Sequence, residues 1–410
     1  MVGVVKVITN KEKVQILLTR AVSNVLVFDH LKKQLLSGQK LRIKLGIDPT
    51  APDIHLGHSV PLMKLKQFQE LGHKAVLIIG DFTARIGDPT GRVEARKMLS
   101  VIEIKRNMKS YLEQAGKILD IEKTEIRYNN EWFGKMKAAN FYELAGKVTV
   151  QQILKREDFR KRIENDKDIT ANEMMYPIFQ GYDSVMVKAD VEIGGEDQLV
   201  NLLMGRRIQR AYGMREQDIL TTWLIEGTDG ERKMSKSLGN YIAISEKPGD
   251  MFGKVMSIPD SLIIKYFKAL TQIDGDKIDK IESDMEAKKL NPKDSKTQLA
   301  YEIVKIYHGK EKANKATQEF KRVFQKHELP EDIPEFPQPL GGFWNIVDLL
   351  HHVFITEFSK TRIRRLLFEG AVKVDRKIVN QYEMINMDSK SELIIQVGPK
   401  NFMKIKSAKK

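Results

Sequence analysis

The chain has no cysteine, which excludes a disulfide framework, a thiolate nucleophile and cysteine-ligated zinc. Long apolar runs are missing too: stretches such as AVLII, Ala75 to Ile79, fall far short of the roughly 20 residues that span a bilayer. No membrane span is expected. The opening MVGVVKVITNKEKVQILLTR scatters its lysines among apolar residues, unlike the ordered charge-then-apolar pattern of a secretory leader. It reads as mature protein, with the cytoplasm as the expected compartment. Acidic charge is the scarcer sign, 55 Asp and Glu against 69 Lys and Arg, leaving a net +14. Nearly half of that excess lies in the last 68 residues, where 13 basic side chains face 7 acidic ones. Clustering of this kind points to a nucleic-acid partner more than to general solubility.

What is present first is an alternation of strands and helices. LRIKLGI (41–47) reads as a buried strand, SVPLMKLKQFQELG as a helix closed by Gly72, and KAVLIIGD as a second strand. A βαβ unit of this kind implies a parallel sheet in an α/β fold. EIRYNN (125–130), VMVKADV (185–191) and ILTTWLI (219–225) are further strand candidates. Residues 261–324 are highly charged, with apolar residues at helical spacing, and read as a small helical domain. HELPEDIPEFPQPLGG (327–342) carries four of the 13 prolines and reads as a semi-rigid linker. The expected division is therefore 1–246, 247–326, the linker 327–342, and a compact basic α+β unit over 343–410.

Three stretches carry chemistry. LGIDPTAPDIHLGHSVPLMKL (45–65) runs from a strand through a proline-broken turn into a helix, where open α/β sheets bind ligands and helix N–H groups favour phosphate. His55 and His58 stand at that entrance, and Gly57 between them leaves backbone open to a flat base. A metal is the rival ligand, but an HxxH pair without a third donor is a weak signal, and such a pair can also be structural. GERKMSKSLGN (230–240) alternates lysine and serine between glycines, with turn chemistry, mobility and positive charge but little capacity for a core. TANEMMYPIFQGYDSV (170–185) opens with capping-box spacing, so Tyr176, Gln180 and Asp183 share one helix face. Pro177 and Gly181 break the local helix rules there, as binding sites often do, although an amphipathic helix with a polar outer face has the same stripe.

HLGH followed about 175 residues later by KMSKS resembles the paired signatures of class I aminoacyl-tRNA synthetases. Tyr-x-x-x-Gln-x-x-Asp, IGDPTGR (86–92) and IGGEDQ (193–198) narrow the resemblance, which runs through essentially the whole chain, to the tyrosyl-tRNA synthetase family. The resemblance implies a Rossmann-like catalytic domain over 1–246, a helical anticodon-binding domain over 247–326 and a carboxy-terminal RNA-binding domain. It implies that Asp88, Tyr176 and Gln180 hold the tyrosine ammonium and Asp183 the phenol, while Asp197 and Gln198 take ribose and carboxylate with Asp48 nearby. Gly57 and Gly195 would lie against ATP; Thr50, His55 and His58 would face its triphosphate; Arg92, Arg96, Lys233, Lys236 and Ser237 would close over the leaving pyrophosphate. Lys360, Arg364, Lys373, Arg376 and Lys377, set around Ile363, Leu366 and Leu367, would meet tRNA(Tyr). ATP is then a substrate accompanied by magnesium, no metal is bound by the protein itself, and a homodimer is expected.

Two positions stand out within the resemblance. Lys44 occupies a place where many members carry a tyrosine that shares phenol recognition; a lysine cannot copy that hydroxyl, but it is expected among the tyrosine-binding residues, its ammonium beside Asp183 either donating to the phenol oxygen or neutralising the carboxylate. Pro61 falls where the helix after HLGH is expected to begin, a position that tolerates proline. Tryptophanyl-tRNA synthetase shares the sheet, but the Tyr-Gln-Asp stripe and basic tail argue against it. A noncatalytic RNA-binding relative would have no use for the pyrophosphate ligands.

Overall fold

The computed structural model describes residues 6–90, 99–325, 329, 333–398 and 401–408. The chain forms two compact units, residues 1–314 and 315–410. In the first, six strands make one sheet: β1 (Val22–Leu26), β2 (Arg42–Ile47), β3 (Lys74–Ile79), β4 (Glu125–Tyr128), β5 (Val191–Gly195) and β6 (Asp218–Thr222), in the order β1-β6-β5-β2-β3-β4. All neighbours run parallel except β1, which pairs antiparallel with β6 at the edge. A central parallel strand is covered on both faces, and this explains why β3 has five consecutive buried residues.

The sequence reading placed β2 and β3 well and missed in two places. VMVKADV is not a strand: the helix Ala171–Met186 runs into it, and the strand starts only at Val191. The three valines satisfy a strand pattern, but Val185 lies half-buried in the last turn of the helix, Val187 is its buried cap, and only Val191 belongs to a strand. The edge strand β1 gave too weak an apolar pattern to be read. The helix after HLGH spans Leu56–Glu70, so Pro61 lies in its second turn rather than its first. Proline there removes the N–H that would reach the Gly57 carbonyl, freeing that acceptor at the mouth of the sheet. Pro177 likewise lies inside its helix, which continues through it to Met186. Gly181 has a packing reason: a Cβ would come within 3.1 Å of the Met204 carbonyl, so its absence lets this helix rest on the helix Leu199–Ala211.

The first unit also contains helices Pro248–Met256, Ile263–Leu270, Gly275–Glu286 and Pro292–His308, the last three within the charged stretch expected to be helical. The second unit has its own core, built from Ile346, Leu349 and Leu350 on one helix, Ile363 and Leu367 on another, and Val372, Ile395 and Ile405 on strands. Its strands include β7 (Phe343–Asn345), β8 (Val372–Val374), β9 (Lys377–Ile378), β10 (Met384–Asn386), β11 (Glu392–Val397) and β12 (Asn401–Lys406). The described part of the proline stretch runs beside β12: the Phe336 and Leu340 N–H groups donate to the Lys404 and Lys406 carbonyls.

Candidate active site

The two signature motifs are joined by backbone. His55 caps the helix Leu56–Glu70, and the segment following the lysine loop returns against it: Leu56 N–H donates to the Ile242 carbonyl and Ile244 N–H to that of Ile54. Met234 is buried and lies 3.7 Å from the Cβ position of Gly57, so the loop inserts one anchor into a segment expected to have no core. Buried Asn240 fixes the loop's return: its side chain accepts from Ser235 N–H and donates to Asp229 and to the Arg232 and Lys233 carbonyls. The loop lysines point to different places. Lys233 forms an ion pair with Asp197, and the Lys236 ammonium donates to the Asp53 carbonyl. Ser237 is exposed and within hydrogen-bond distance of Ser235. Arg92 and Arg96 lie outside the described residues.

The two histidine rings stack with centroids 3.7 Å apart. Burial, the neighbouring His58, and Lys236 and Lys233 hold His55 down to about 2. His58 has an exposed edge, yet loss of hydration and the same two lysines hold it down to about 3. Both rings are therefore neutral at physiological pH, and each can donate one N–H to an anion. His55 Nδ1 is buried without a hydrogen-bond partner among the described residues.

A second cluster is acidic. Tyr176 is buried, and its hydroxyl donates to Asp48 Oδ2 at 3.0 Å. Burial first, then Asp48, Asp88 and Asp183, push its phenol well above the ordinary value. The surroundings of this phenol are therefore acidic, an environment suited to a cation. Asp48 is held in turn by the Thr83 hydroxyl at 2.7 Å, and a Cβ at Gly80 would overlap both groups. Asp88 accepts from Thr90 and, at 2.7 Å, from the Gln198 amide. Asn201, on the next helix, donates to Asp88 and to Gln198. Gly195 precedes the turn that presents Asp197 and Gln198, and a Cβ there would lie 2.6 Å from the Asp197 carboxylate. Thr50 is half-buried on the turn after β2.

Asp183 is buried at the far end of the stripe. Trp132 Nε1 donates to one of its oxygens at 2.9 Å and Asn129 to the other at 3.4 Å. Burial lifts its carboxyl to about 7 against the lowering effect of Lys44, Asn129 and Trp132. Lys44, expected near the phenol, instead donates to the Gln180 carbonyl and the Ser184 hydroxyl and pairs with Glu192, each at 2.8 Å. Its three N–H groups are thus spent within the protein. Thr83, Asn129, Trp132, Ser184, Glu192 and Asn201 were not found by sequence reasoning, because each acts through a partner far away in the chain.

On the second unit, Lys360, Arg364, Arg376 and Lys377 are exposed and Lys373 half-exposed, while Ile363, Leu366 and Leu367 are buried beneath them. Lys360 is paired with Asp348 at 2.7 Å.

Residues 36–325 match the family described as tRNA synthetases class I (W and Y). The chain is 49% identical over 380 residues to a tyrosine–tRNA ligase of Carboxydothermus hydrogenoformans, covering 92% of each. To that of Thermotoga maritima it is 47% identical, covering 97% of this chain and 98% of the other. Among solved structures, a C-terminally truncated mitochondrial tyrosyl-tRNA synthetase of Aspergillus nidulans superposes with a TM-score of 0.65 at 23% identity, covering 76% of this chain and 94% of that one, which speaks to the fold alone.

Proposed function

The chain belongs to the tyrosine–tRNA ligases, class I synthetases of the tryptophan and tyrosine kind, and from that premise we propose how its side chains divide the work. The reaction joins L-tyrosine to ATP as tyrosyl adenylate and then passes tyrosine to the 3′ end of tRNA(Tyr). In our reading Asp88, Tyr176 and Gln180 receive the ammonium, Asp183 the phenol and Gln198 the carboxylate. Asp197 takes the ribose, the Gly57 and Gly195 backbones border the adenosine, and Asp48 orients Tyr176. The observation that carries this division is geometric: the Tyr176 hydroxyl lies on Asp48 and the Gln198 amide on Asp88, an acidic part of the site suited to a cation, while Lys233 and Lys236 lie in the other part.

No covalent catalyst is needed. The tyrosine carboxylate attacks the α-phosphorus and pyrophosphate leaves, so the protein must align two anions and stabilise charge growing on the leaving group. Thr50 and neutral His55 and His58 donate to the phosphates. Lys233, Lys236, Ser237, Arg92 and Arg96 meet the pyrophosphate. A group that acts only on the transition state contributes roughly 3 kcal/mol, about a hundredfold in rate. Magnesium travels with ATP as part of the substrate. The second unit, carrying Lys360, Arg364, Lys373, Arg376 and Lys377, holds tRNA, and the helices between Pro248 and His308 serve the anticodon side. We place the enzyme in the cytoplasm as a homodimer; among the described residues no helix is long and apolar enough to cross a membrane.

Pyrophosphate exchange into ATP, run with each of the twenty amino acids, tests the reading. Exchange should require tyrosine and magnesium. Exchange with tryptophan alone, or with no amino acid, would overturn it.

A further inference from the structure

Gln180 is held at both of its polar ends by a single ion pair. The Lys44 ammonium takes its backbone carbonyl at 2.8 Å, and Glu192 Oε1 takes its side-chain Nε2 at 3.2 Å. Lys44 and Glu192 are 2.8 Å apart, on neighbouring strands β2 and β5, and both are almost wholly buried. Four donors converge on Glu192: Lys44 and Gln180 at one oxygen, Ser184 at 3.1 Å and Gln217 at the other. Space for this comes from Gly205, where a Cβ would overlap the Gln217 amide and lie 2.9 Å from Glu192 Oε2.

A buried ion pair is a poor stabiliser, since desolvation offsets most of its attraction and packed apolar side chains often do better. Its position suggests a different use. A carboxylate accepts and does not donate, so the amide presents its NH2 end to Glu192 and leaves Oε1 as the end free to accept. An ammonium can only donate. The amide therefore has the polarity that an amino-acid ammonium requires, and a flipped amide would set N–H against N–H.

We infer that the Lys44–Glu192 pair is a positioning device that fixes the amide polarity of Gln180 and thereby makes the site select for a substrate ammonium. Lys44 is no phenol ligand: it secures Glu192 and the Gln180 backbone from below. The inference rests on Gln180 as the ammonium ligand and deepens that reading.

The test compares three ligands on the full chain. Inhibition by 3-(4-hydroxyphenyl)propanoate, which keeps the phenol and carboxylate but lacks the ammonium, measures ammonium selection. Phenylalanine activation measures phenol selection. Glu192→Gln removes the acceptor-only group and frees the amide to turn. It should lower preference for tyrosine over the deamino acid by about tenfold, as for a lost hydrogen bond to a charged group, and leave the tyrosine-to-phenylalanine ratio within about threefold. Glu192→Asp keeps the charge but withdraws the carboxylate from Gln180; it should show the same selective loss in smaller measure, and it serves if the glutamine variant does not fold. In a Gln180→Ala background, Glu192→Gln should change the ammonium ratio no further. A parallel fall in both ratios, a fall in the phenylalanine ratio alone, an unchanged ammonium ratio, or additivity with Gln180→Ala would overturn the inference. Failure of the unaltered chain to exchange pyrophosphate with tyrosine would instead overturn the reading of the site, so the two failures are distinguishable.

Discussion

Lys233 forms an ion pair with Asp197, the residue we place on the ribose, so ATP meets an acid already engaged by the loop. The lysine is more than half exposed, and pairs of that kind contribute only about 0–1 kcal/mol. The latch is therefore weak and easily exchanged for phosphate, as a loop that must follow the reaction requires. Asp197→Asn should speed tryptic cleavage after Lys233 by about two- to fivefold in the ligand-free protein and raise the KM for ATP. Unchanged cleavage would mean that buried Met234 and Asn240, not the ion pair, hold the loop.

Replacing Lys233, Lys236 or His55 with alanine should slow adenylate formation by about a hundredfold each, with little change in tyrosine affinity. Single-turnover kinetics with separate tyrosine binding measurements decide this. A collapse of tyrosine affinity with the rate intact would put these groups on the wrong substrate.

The Asp183 carboxyl gives two opposite pH dependences. A phenol donates to a carboxylate, so kcat/KM for tyrosine should rise with pH through about 7 and then level. Stability runs the other way. The folded-state value lies above the ordinary 3.8, so the folded chain holds the proton longer; the carboxyl's favourable contribution is full below about 4 and is lost as pH climbs to about 7. Asp183→Asn should therefore gain in thermal midpoint over the parent across that window and hold a constant advantage above it. Lys64, held down to about 7 by burial and by Arg20, titrates nearby, so the parent-minus-variant difference is the quantity to read. A difference that stays flat with pH would place the titration elsewhere.

Much of this site was legible because its signals are local. The capping box of Thr170 and Glu173 and the periodicity that aligns Tyr176, Gln180 and Asp183 belong to one helix, and the strand before HLGH is read from its own residues. What could not be read depends on side chains that meet through the fold. Trp132 reaches Asp183 across 51 residues of sequence, and Lys44 reaches Gln180 across 136. Lys44 is the sharper lesson: a lysine in a buried strand looks like a site residue facing a ligand, whereas its partner Glu192 sits in an apolar run that marks nothing. Met234 shows the reverse, an anchor hidden in a loop of polar residues.

The phenol end separates these two residues experimentally. Asp183→Ala leaves the Trp132 N–H without its acceptor, while the Asn129 amide keeps the Thr83 hydroxyl, and should cut tyrosine-over-phenylalanine selectivity by about tenfold to a hundredfold. Lys44→Met strands Glu192 as an unpaired buried charge and should cost about 3–5 kcal/mol of stability, while reducing that selectivity much less. Activation kinetics for both amino acids, with chemical denaturation of each variant, distinguish the two. A larger selectivity loss in the lysine variant would move phenol recognition to Lys44.

The last expectation concerns the second unit, which has its own hydrophobic core and carries the basic face. A chain ended at Gln325, where the family match stops, keeps every described residue we assign to adenylate formation. It should exchange pyrophosphate within about threefold of the parent and lose tRNA charging. In the full chain, charging should weaken steeply with salt, because each lysine or arginine on a phosphate releases counterions, with a log–log slope of about 0.7–0.9 per contact. Arg376 tests this at one residue. It is exposed at a hairpin tip with φ 70°, a conformation that an arginine adopts only at some cost, whereas glycine takes it freely. Arg376→Gly should therefore hold or raise the thermal midpoint while lowering the salt slope by nearly one unit. Normal charging by the shortened chain, or an unchanged slope in the glycine variant, would remove the basic face from tRNA recognition.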